Sequence, residues 1–553
     1  MSKHNKYNPI YYSNLLMSFN KREANKLYLK YLLVFTDDLK TDLKLILEKY
    51  KLLLNVARNT SQRYRNYTGL IEKLELKTDH RTLFHSRKNI DNIISLLEKK
   101  INKYHSFKIN GNTTLDLVNN LFLENSEIFR CLLSELALYQ TQFDWRSPAY
   151  KSSLYSNIFS YSELNIKKIN YARYGDKETK LEKNVIKSWY KNTKSQLRCL
   201  STASGMSAYT VVEDFLLKYH IKKGGVVLTI PYIYFEVFEQ LNILHLQKYI
   251  MLHQTQSYDA IDICKDIDKY NPSVIFIDLM TNNGNIATVD LEIIYQHLAK
   301  KYQNKKIYVI SDNTMTPTYN PFLSWEKYLN PENKNGPRLI VYESGNKYRQ
   351  LGLDLTNAGF MTSYQFEVSN LHRSRRNTGQ NLSDYSNYIF PIYNKKVFNM
   401  RMSRIQRNAL LVCEIINDRS KYFNANHPLI ENNKFSGISL KYNICSGIVT
   451  FIFTLGQLNN KLSYDKLILA VLSQAKQKGI SVSNGLSFGF DVSRISASAS
   501  MAENTTPFLR LSCGTENIYN TILMAKCIRD EADKLVLNFL AQNNIYNSVS
   551  FKL

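Results

Sequence analysis

Apolar positions recur at helical spacing along the first 150 residues. Leu39, Leu43, Ile46 and Leu47, followed by Leu53 and Leu54, mark one face, and Ile90, Ile93, Ile94, Leu97 and Ile101 mark another. Ser126 and Glu127 precede Ile128, Leu132, Leu136 and Tyr139, the pattern of a capped helix. Gly and Pro are rare here, and the pattern predicts an all-helical accessory domain over residues 1–150, with a break near Ser147-Pro148. The pattern then changes. Strand-sized apolar runs at 226–230, 274–277, 306–310 and 339–342 alternate with helix-length amphipathic stretches such as 291–298. That alternation predicts an α/β domain over residues 151–385, a mostly parallel sheet covered by helices. Residues 386–553 open with a helical segment around Met400-Arg401-Met402. A strand-like run at 448–453 and a helix over 518–537 follow, and a smaller α+β domain is expected.

A chain of 553 residues exceeds what one hydrophobic core organises, in keeping with several domains. Hydrophobic residues at 44% and charged residues at 22% are those of a globular protein. No apolar run approaches the ~20 residues of a membrane span, and the N-terminus lacks the apolar core of a signal peptide. Seven scattered cysteines, an odd number without CxxC spacing, suit a reducing cytosol, so a cytoplasmic protein without membrane or metal is expected. The net charge of +25 raises the question of nucleic acid. Residues 1–160 carry 25 Lys and Arg against 15 Asp and Glu, so the excess is spread along the chain, and no aromatic-basic motif accompanies it. A solvated basic surface accounts for it, and nucleic acid is not expected as a partner.

Two strand ends carry the chemistry. The run 306–310 leads into Ser311-Asp312-Asn313-Thr314, and the run 339–342 leads into Glu343-Ser344-Gly345-Asn346-Lys347-Tyr348. Strand-then-Asp followed by strand-then-Lys is what a pyridoxal phosphate enzyme requires. The lysine amine joins the cofactor aldehyde as a Schiff base, and the carboxylate keeps the pyridine nitrogen protonated. In open α/β sheets ligands bind beyond the carboxyl ends of the strands, where Asp312, Lys347 and Asn282 fall.

With further motifs included, the chain resembles the Cys/Met-metabolism family of pyridoxal phosphate enzymes, which contains cystathionine γ-synthases and lyases, methionine γ-lyase and homoserine sulfhydrylases. The resemblance runs from about Tyr171 to the end of the 518–537 helix. It implies an aspartate aminotransferase-like (fold type I) cofactor domain with a small C-terminal domain. Ser204-Gly205-Met206-Ser207-Ala208 resembles the family's phosphate loop, in which backbone N–H groups at a helix N-terminus hold the phosphate. Tyr171-Ala172-Arg173-Tyr174-Gly175 resembles the segment whose Tyr and Arg reach the phosphate of the neighbouring subunit, which implies a homodimer or homotetramer with shared active sites. Pro231-Tyr232-Ile233-Tyr234 stands where the family places a ring-stacking, proton-donating Tyr. The family's Gly-Gly-Thr is absent, so register leaves Tyr232 and Tyr234 both open, with Tyr232 preferred.

Asn282 fits the Asn that bonds the cofactor's phenolic oxygen, although both flanking prolines of the family motif are lost. Around Lys347, Ser344, Tyr348 and Asp354 are kept. Asn346 replaces a phosphate-binding Thr and can still donate a hydrogen bond there, so the resemblance implies Ser344 and Asn346 among the cofactor-binding residues, while Gln350-Leu351-Gly352 replaces Gly-Gly-His. Leu509-Arg510-Leu511-Ser512 and Ser487-Phe488-Gly489 resemble the segments that hold the substrate α-carboxylate, with Arg510 as the bidentate donor and Ser487 over it. The resemblance implies β/γ-elimination or γ-replacement on a sulfur-containing or γ-substituted amino acid, with Lys347, Tyr232 and Asp312 as the catalytic groups. The departures from the family motifs leave room for specialised chemistry such as carbon–carbon bond formation. An aminotransferase, or a binding or regulatory protein that keeps the fold without the chemistry, are the alternatives.

Overall fold

The computed structural model describes residues 38–73, 81–106, 132, 179–393, 395–498, 506–516 and 518–543. The chain divides into two compact units, Met1–Ile169 with Glu516–Tyr519, and Asn170–Thr515 with Asn520–Leu553.

In the first unit, α1 (Asp38–Lys73) and α2 (Arg81–Ser106) form an antiparallel pair. The predicted apolar faces meet: Leu45, Ile46, Tyr50, Leu53 and Leu54 of α1 and Ile90, Ile93 and Leu97 of α2 are buried. Tyr50 stacks on Tyr104 at 5.6 Å between ring centroids, and at the other end of the pair Ser61 donates to Asp91 at 2.7 Å. The helix expected around 126–139 lies outside the described residues apart from Leu132, which is helical and buried.

The second unit contains two sheets. The helices and strands of its first part are α3 (Lys180–Trp189), β1 (Leu197–Thr202), α4 (Gly205–Tyr219), β2 (Gly225–Thr229), α5 (Phe235–Leu246), β3 (Ile250–Gln254), α6 (Ala260–Tyr270), β4 (Val274–Phe276), α7 (Leu291–Lys301), β5 (Tyr308–Asp312), α8 (Pro321–Tyr328), β6 (Arg338–Ser344), β7 (Gly359–Tyr364) and α9 (Val368–Thr378). The seven described strands order as β1-β7-β6-β5-β4-β2-β3. β3, β2, β4, β5 and β6 run parallel, while β7 is antiparallel to both neighbours. The central strands β4, β5 and β6 are buried along nearly their whole length because helices cover both faces. β5 begins two residues later than the apolar run at 306–310 suggests, at Tyr308, which pairs with both Val274 and Arg338. The shift makes Asp312 the last residue of the strand.

After α10 (Asp384–Ile389) and α11 (Lys395–Arg419) come β8 (Phe423–Asn426), α12 (Ser436–Lys441), β9 (Ile448–Phe453), α13 (Lys461–Gln477), β10 (Val482–Asn484), β11 (Ser493–Ser498), β12 (Phe508–Ser512) and α14 (Ile518–Gln542). The second sheet orders as β10-β11-β12-β9-β8 and is antiparallel except for β10-β11. α11 packs on β8 and β9, and α13 on β10 and β11, as an α+β layer requires.

One buried ion pair ties the entry of this unit to its sheet. Thr179 and Glu182 form a reciprocal capping box at the start of α3. The Glu182 carboxylate also accepts from the Ser201 N–H and hydroxyl on β1, at 2.8 and 2.9 Å, and from Arg375 Nη1 on α9 at 2.8 Å. Both side chains are nearly inaccessible. Arg375→Met therefore leaves a buried carboxylate without its cation and should lower stability by about 3–5 kcal/mol. Urea unfolding checks this, and Glu182→Leu combined with Arg375→Met should recover a large part of the loss.

Candidate active site

The carboxyl ends of β4, β5 and β6 lie side by side and bring three groups together. Asp278 follows β4, Asp312 ends β5 and Ser344 ends β6. The Asp312 backbone N–H donates to Asp278 Oδ1 at 2.9 Å, and the Thr314 N–H donates to Asp312 Oδ1 at 2.8 Å. Thr314 Oγ1 in turn accepts from the Ser344 N–H at 2.8 Å, so one short turn joins two strand ends. Burial drives both carboxyls, Asp312 and Asp278, well above the ordinary aspartate range. The Asp312 charge further opposes ionisation of Asp278, while the Thr314 hydrogen bonds and the Lys347 amine pull Asp312 back.

Beyond β6 the chain passes through Lys347 into a single 3₁₀ turn, Tyr348–Gln350. The amide of Gln350 holds the following loop: Oε1 accepts from the N–H groups of Leu355 and Thr356, at 2.8 and 3.0 Å, and Nε2 donates to the carbonyls of Gly345 and Thr356. Gln350 therefore braces the loop where the resembling family has glycine. Lys347 Nζ donates to Ser487 Oγ at 2.7 Å and lies 5.5 Å from the centre of the Phe488 ring. Burial, then the neighbouring Arg510, hold its amine below the ordinary lysine value. Arg494 adds to this, while Asp354 and Asp312 oppose it.

The Ser487 loop reaches Lys347 because Gly489 adopts φ +89°. A Cβ there would sit 2.3 Å from the Lys347 carbonyl carbon, so no other residue fits. Arg401, fully buried on α11, donates to Gly489 O and pairs with Asp491, each at 3.0 Å, and so holds the loop from behind. Arg510 on β12 donates through Nη1 to Asn282 Oδ1 at 3.1 Å and through Nη2 to the Leu486 carbonyl.

Ser204 caps α4, its hydroxyl accepting from the Ser207 N–H at 3.0 Å, while Ala208 N–H donates to Ser204 O. The N–H groups of Gly205 and Met206, in the first turn, have no acceptor within the helix. Gly205 is pressed against the end of β6, where a Cβ would lie 2.8 Å from Ser344 Cβ. The phosphate loop inferred from sequence thus meets Ser344. Asn346 is engaged elsewhere: Nδ2 donates to Asn357 Oδ1 at 2.6 Å and Oδ1 accepts from the Ala358 N–H at 2.7 Å. Tyr171 and Arg173 lie outside the described residues.

The two tyrosines that register left open have different surroundings. Tyr232, at φ +55°, stacks on Tyr258, 6.3 Å between centroids, and Tyr258 accepts from Asn283 Nδ2 at 2.9 Å. Burial and then Glu236 raise the Tyr234 hydroxyl well above the ordinary tyrosine value, with Asp312 adding to the rise and Arg510 opposing it. Sequence reasoning passed over Asp278, Thr314, Gly489 and Arg401. Thr314 and Gly489 stood in the quoted motifs and Asp278 directly follows the strand-sized run at 274–277, whereas Arg401 gave no signal beyond its place in a helix.

The chain matches the family described as Cys/Met metabolism PLP-dependent enzyme over residues 139–523, and it belongs to that family. It is 25% identical over 392 residues to the "Bifunctional enzyme flvA" of Aspergillus flavus, covering 71% of this chain and 46% of that protein, so it spans about half the length of this curated relative. Among solved structures it is similar in fold to cystathionine gamma synthase from Xanthomonas oryzae pv. oryzae in complex with aminoacrylate and cysteine. The TM-score is 0.54, the identity 16%, and the match covers 68% of this chain and 92% of that one. The metB structure from Corynebacterium glutamicum gives a TM-score of 0.53 at 18% identity over 66% and 88% of the two chains. The chain is therefore a pyridoxal phosphate-dependent enzyme of the Cys/Met-metabolism class.

The residues present fit that cofactor. Asp312 is a buried carboxylate with no ion-pair partner among the described residues, a costly arrangement that a protonated pyridine nitrogen relieves. A helix N-terminus with two N–H groups lacking an intrahelical acceptor suits a phosphate, and the depressed Lys347 amine suits attack on an aldehyde. The pH dependence follows from the raised carboxyls. Between about pH 4, the ordinary aspartate value, and the raised values, the folded cofactor-free protein holds more protons than the unfolded chain, so its stability falls as pH rises. Asp312→Asn should flatten this fall and leave the cofactor-free protein as stable as the parent or more so. It should also cut turnover of the cofactor-loaded enzyme about 100-fold or more. Denaturation midpoints at about pH 5 and about pH 8, for both proteins, check the sign.

Proposed function

We propose that this enzyme carries out β/γ-elimination or γ-replacement on a γ-substituted or sulfur-containing amino acid. The observation that carries the reading is the meeting of Lys347, Ser487, Arg510 and Asn282 in front of the buried Asp312. In this reading Gly205, Met206, Ser204 and Ser344 hold the cofactor phosphate, Asp312 the ring nitrogen and Asn282 the phenolic oxygen. When bound, pyridoxal phosphate supplies an electron sink for charge developing at the substrate's α-carbon. Arg510 grips the α-carboxylate through its planar fork, and Ser487 completes that contact. This grip fixes the Cα–H bond toward Lys347, whose amine, depressed by burial and by Arg510, takes that proton and returns it further along the side chain. Tyr234 is assigned to the ring face and to protonating the leaving group, in place of Tyr232, because its hydroxyl lies within the field of Asp312 and Arg510. Asn346 is assigned to bracing the loop at 357–358 and not to the phosphate.

We further propose a cytoplasmic enzyme acting as a homodimer or homotetramer with composite sites, in which Tyr171 and Arg173 complete the phosphate site of the adjacent subunit. The domain limits 1–150, 151–385 and 386–553 remain our division of the chain into helical, cofactor-binding and C-terminal parts.

Borohydride treatment of the yellow holoprotein should fix a pyridoxyl group on the peptide containing Lys347, and Lys347→Ala should lose several orders of magnitude in turnover. A label on another lysine, or protein that takes up no cofactor, overturns the assignment. Shared sites are tested by mixing. Arg173→Ala and Lys347→Ala chains, each inactive alone, should regain a fraction of parental activity when their subunits exchange, because one site of the mixed dimer is intact. Full activity of Arg173→Ala alone, or no recovery despite exchange, counts against the composite site.

A further inference from the structure

The sheet that carries Arg510 presents a second arginine on the same face. Arg494 lies opposite Ser512 across β11 and β12, and Ser496, two residues on, lies opposite Arg510. Side chains alternate between faces along a strand, so Arg494 and Arg510 share a face as diagonal neighbours, with their β-carbons about 7 Å apart. Both reach beneath one loop. Arg510 Nη2 donates to Leu486 O, and a Cβ on Gly485 would lie 3.3 Å from Nη1 of Arg494. The Gly485 N–H donates to Ile495 O at 3.2 Å, which pins that loop to β11.

The two guanidiniums differ in their partners. Arg510 is bonded to Asn282 and Leu486. Arg494 is half-buried and stacks on the Phe490 ring, with its central carbon 3.8 Å from the ring centre. No carboxylate or carbonyl among the described residues accepts a hydrogen bond from it. Stacking holds a guanidinium by its flat face and leaves its N–H edges directed outward. That is the arrangement for binding a planar anion bidentately. A lone positive charge this close to the Lys347 amine opposes its protonation, and an incoming anion would relieve that opposition.

We propose that Arg494 is a second anion-binding residue of the substrate pocket. It takes a carboxylate carried on the side chain of the amino-acid substrate while Arg510 takes the α-carboxylate. The preferred substrates are then amino acids with a second, distal carboxylate. The inference rests on the amino-acid site proposed above and deepens it by naming a class of substrate.

The test titrates the full-length, cofactor-loaded protein with L-aspartate and L-glutamate, each against its amide, L-asparagine and L-glutamine. Binding is read by calorimetry and by the cofactor absorbance band. At least one acid should bind about tenfold or more tightly than its amide, a difference of about 1.4 kcal/mol. Arg494→Leu should erase that preference and leave the amides bound as before, and Arg494→Lys should keep part of it. Arg494→Gln, which retains a polar stem against Phe490, repeats the test should the leucine variant fold poorly. The proposal is overturned when no acid outbinds its amide in the parent protein. It is also overturned when the variants weaken acid and amide alike, which marks Arg494 as a packing residue. If amides and acids both leave the heat and the absorbance band unchanged in the parent, the amino-acid site itself is wrong, and this inference falls with it.

Discussion

A buried negative charge without a cation of its own organises the centre of this enzyme. Asp312 ends β5, the middle strand of the seven-stranded sheet, inside the protein, with the Asp278 carboxylate beside it. Neither forms an ion pair with an arginine or lysine among the described residues, although the Lys347 amine acts on Asp312 from further away. Other buried carboxylates in the same unit are treated differently: Glu182 has Arg375 and Glu343 has Arg349, each at hydrogen-bonding distance. Where the fold needs a buried acid for structure alone, it supplies the counter-charge. At the strand ends it withholds one, and the cost is carried by a site whose cofactor brings a cation.

The remaining groups are held against that centre by contacts that cross from one sheet to the other. The Ser487 loop rests on the Lys347 backbone through Gly489, and Arg401 fastens that loop from the helix behind it. Arg510 bonds Asn282, so the residue assigned to the substrate carboxylate and the residue assigned to the cofactor oxygen hold each other in place. Preorganisation of this kind lets a side chain on a small sheet act on chemistry at the end of a larger one.

Much of the fold was legible in the chain, because strand and helix lengths follow from local periodicity. The strand runs and helix segments named from the pattern of the second unit appear within a few residues of their expected ends. The one shift with a consequence, the later start of β5, comes from pairing on both sides and cannot be seen in the strand alone. Asp312 and Lys347 stood out in the chain because they lie at or just beyond the ends of strand-sized runs, and Ser204-Gly205 and Arg510 because the motifs around them resemble those of the family. Tyr234 was not separable from Tyr232, since both lie in one short segment and only the turn at φ +55° sends the first toward Tyr258. Asn346 read as a phosphate donor because its neighbours matched a motif, yet Asn357 and Ala358 claim its amide.

The sequence by itself determined the order of the elements, the class of cofactor and the residues at the strand ends, because these depend on spacing along a few residues. Tertiary structure alone decided which side chains meet. Lys347 and Ser487 are 140 residues apart and Asn282 and Arg510 are 228 apart, and no local pattern reports such pairings. The common face of Arg494 and Arg510 likewise exists only through the register of β11 on β12, where a slip of one residue would send the side chains to opposite faces.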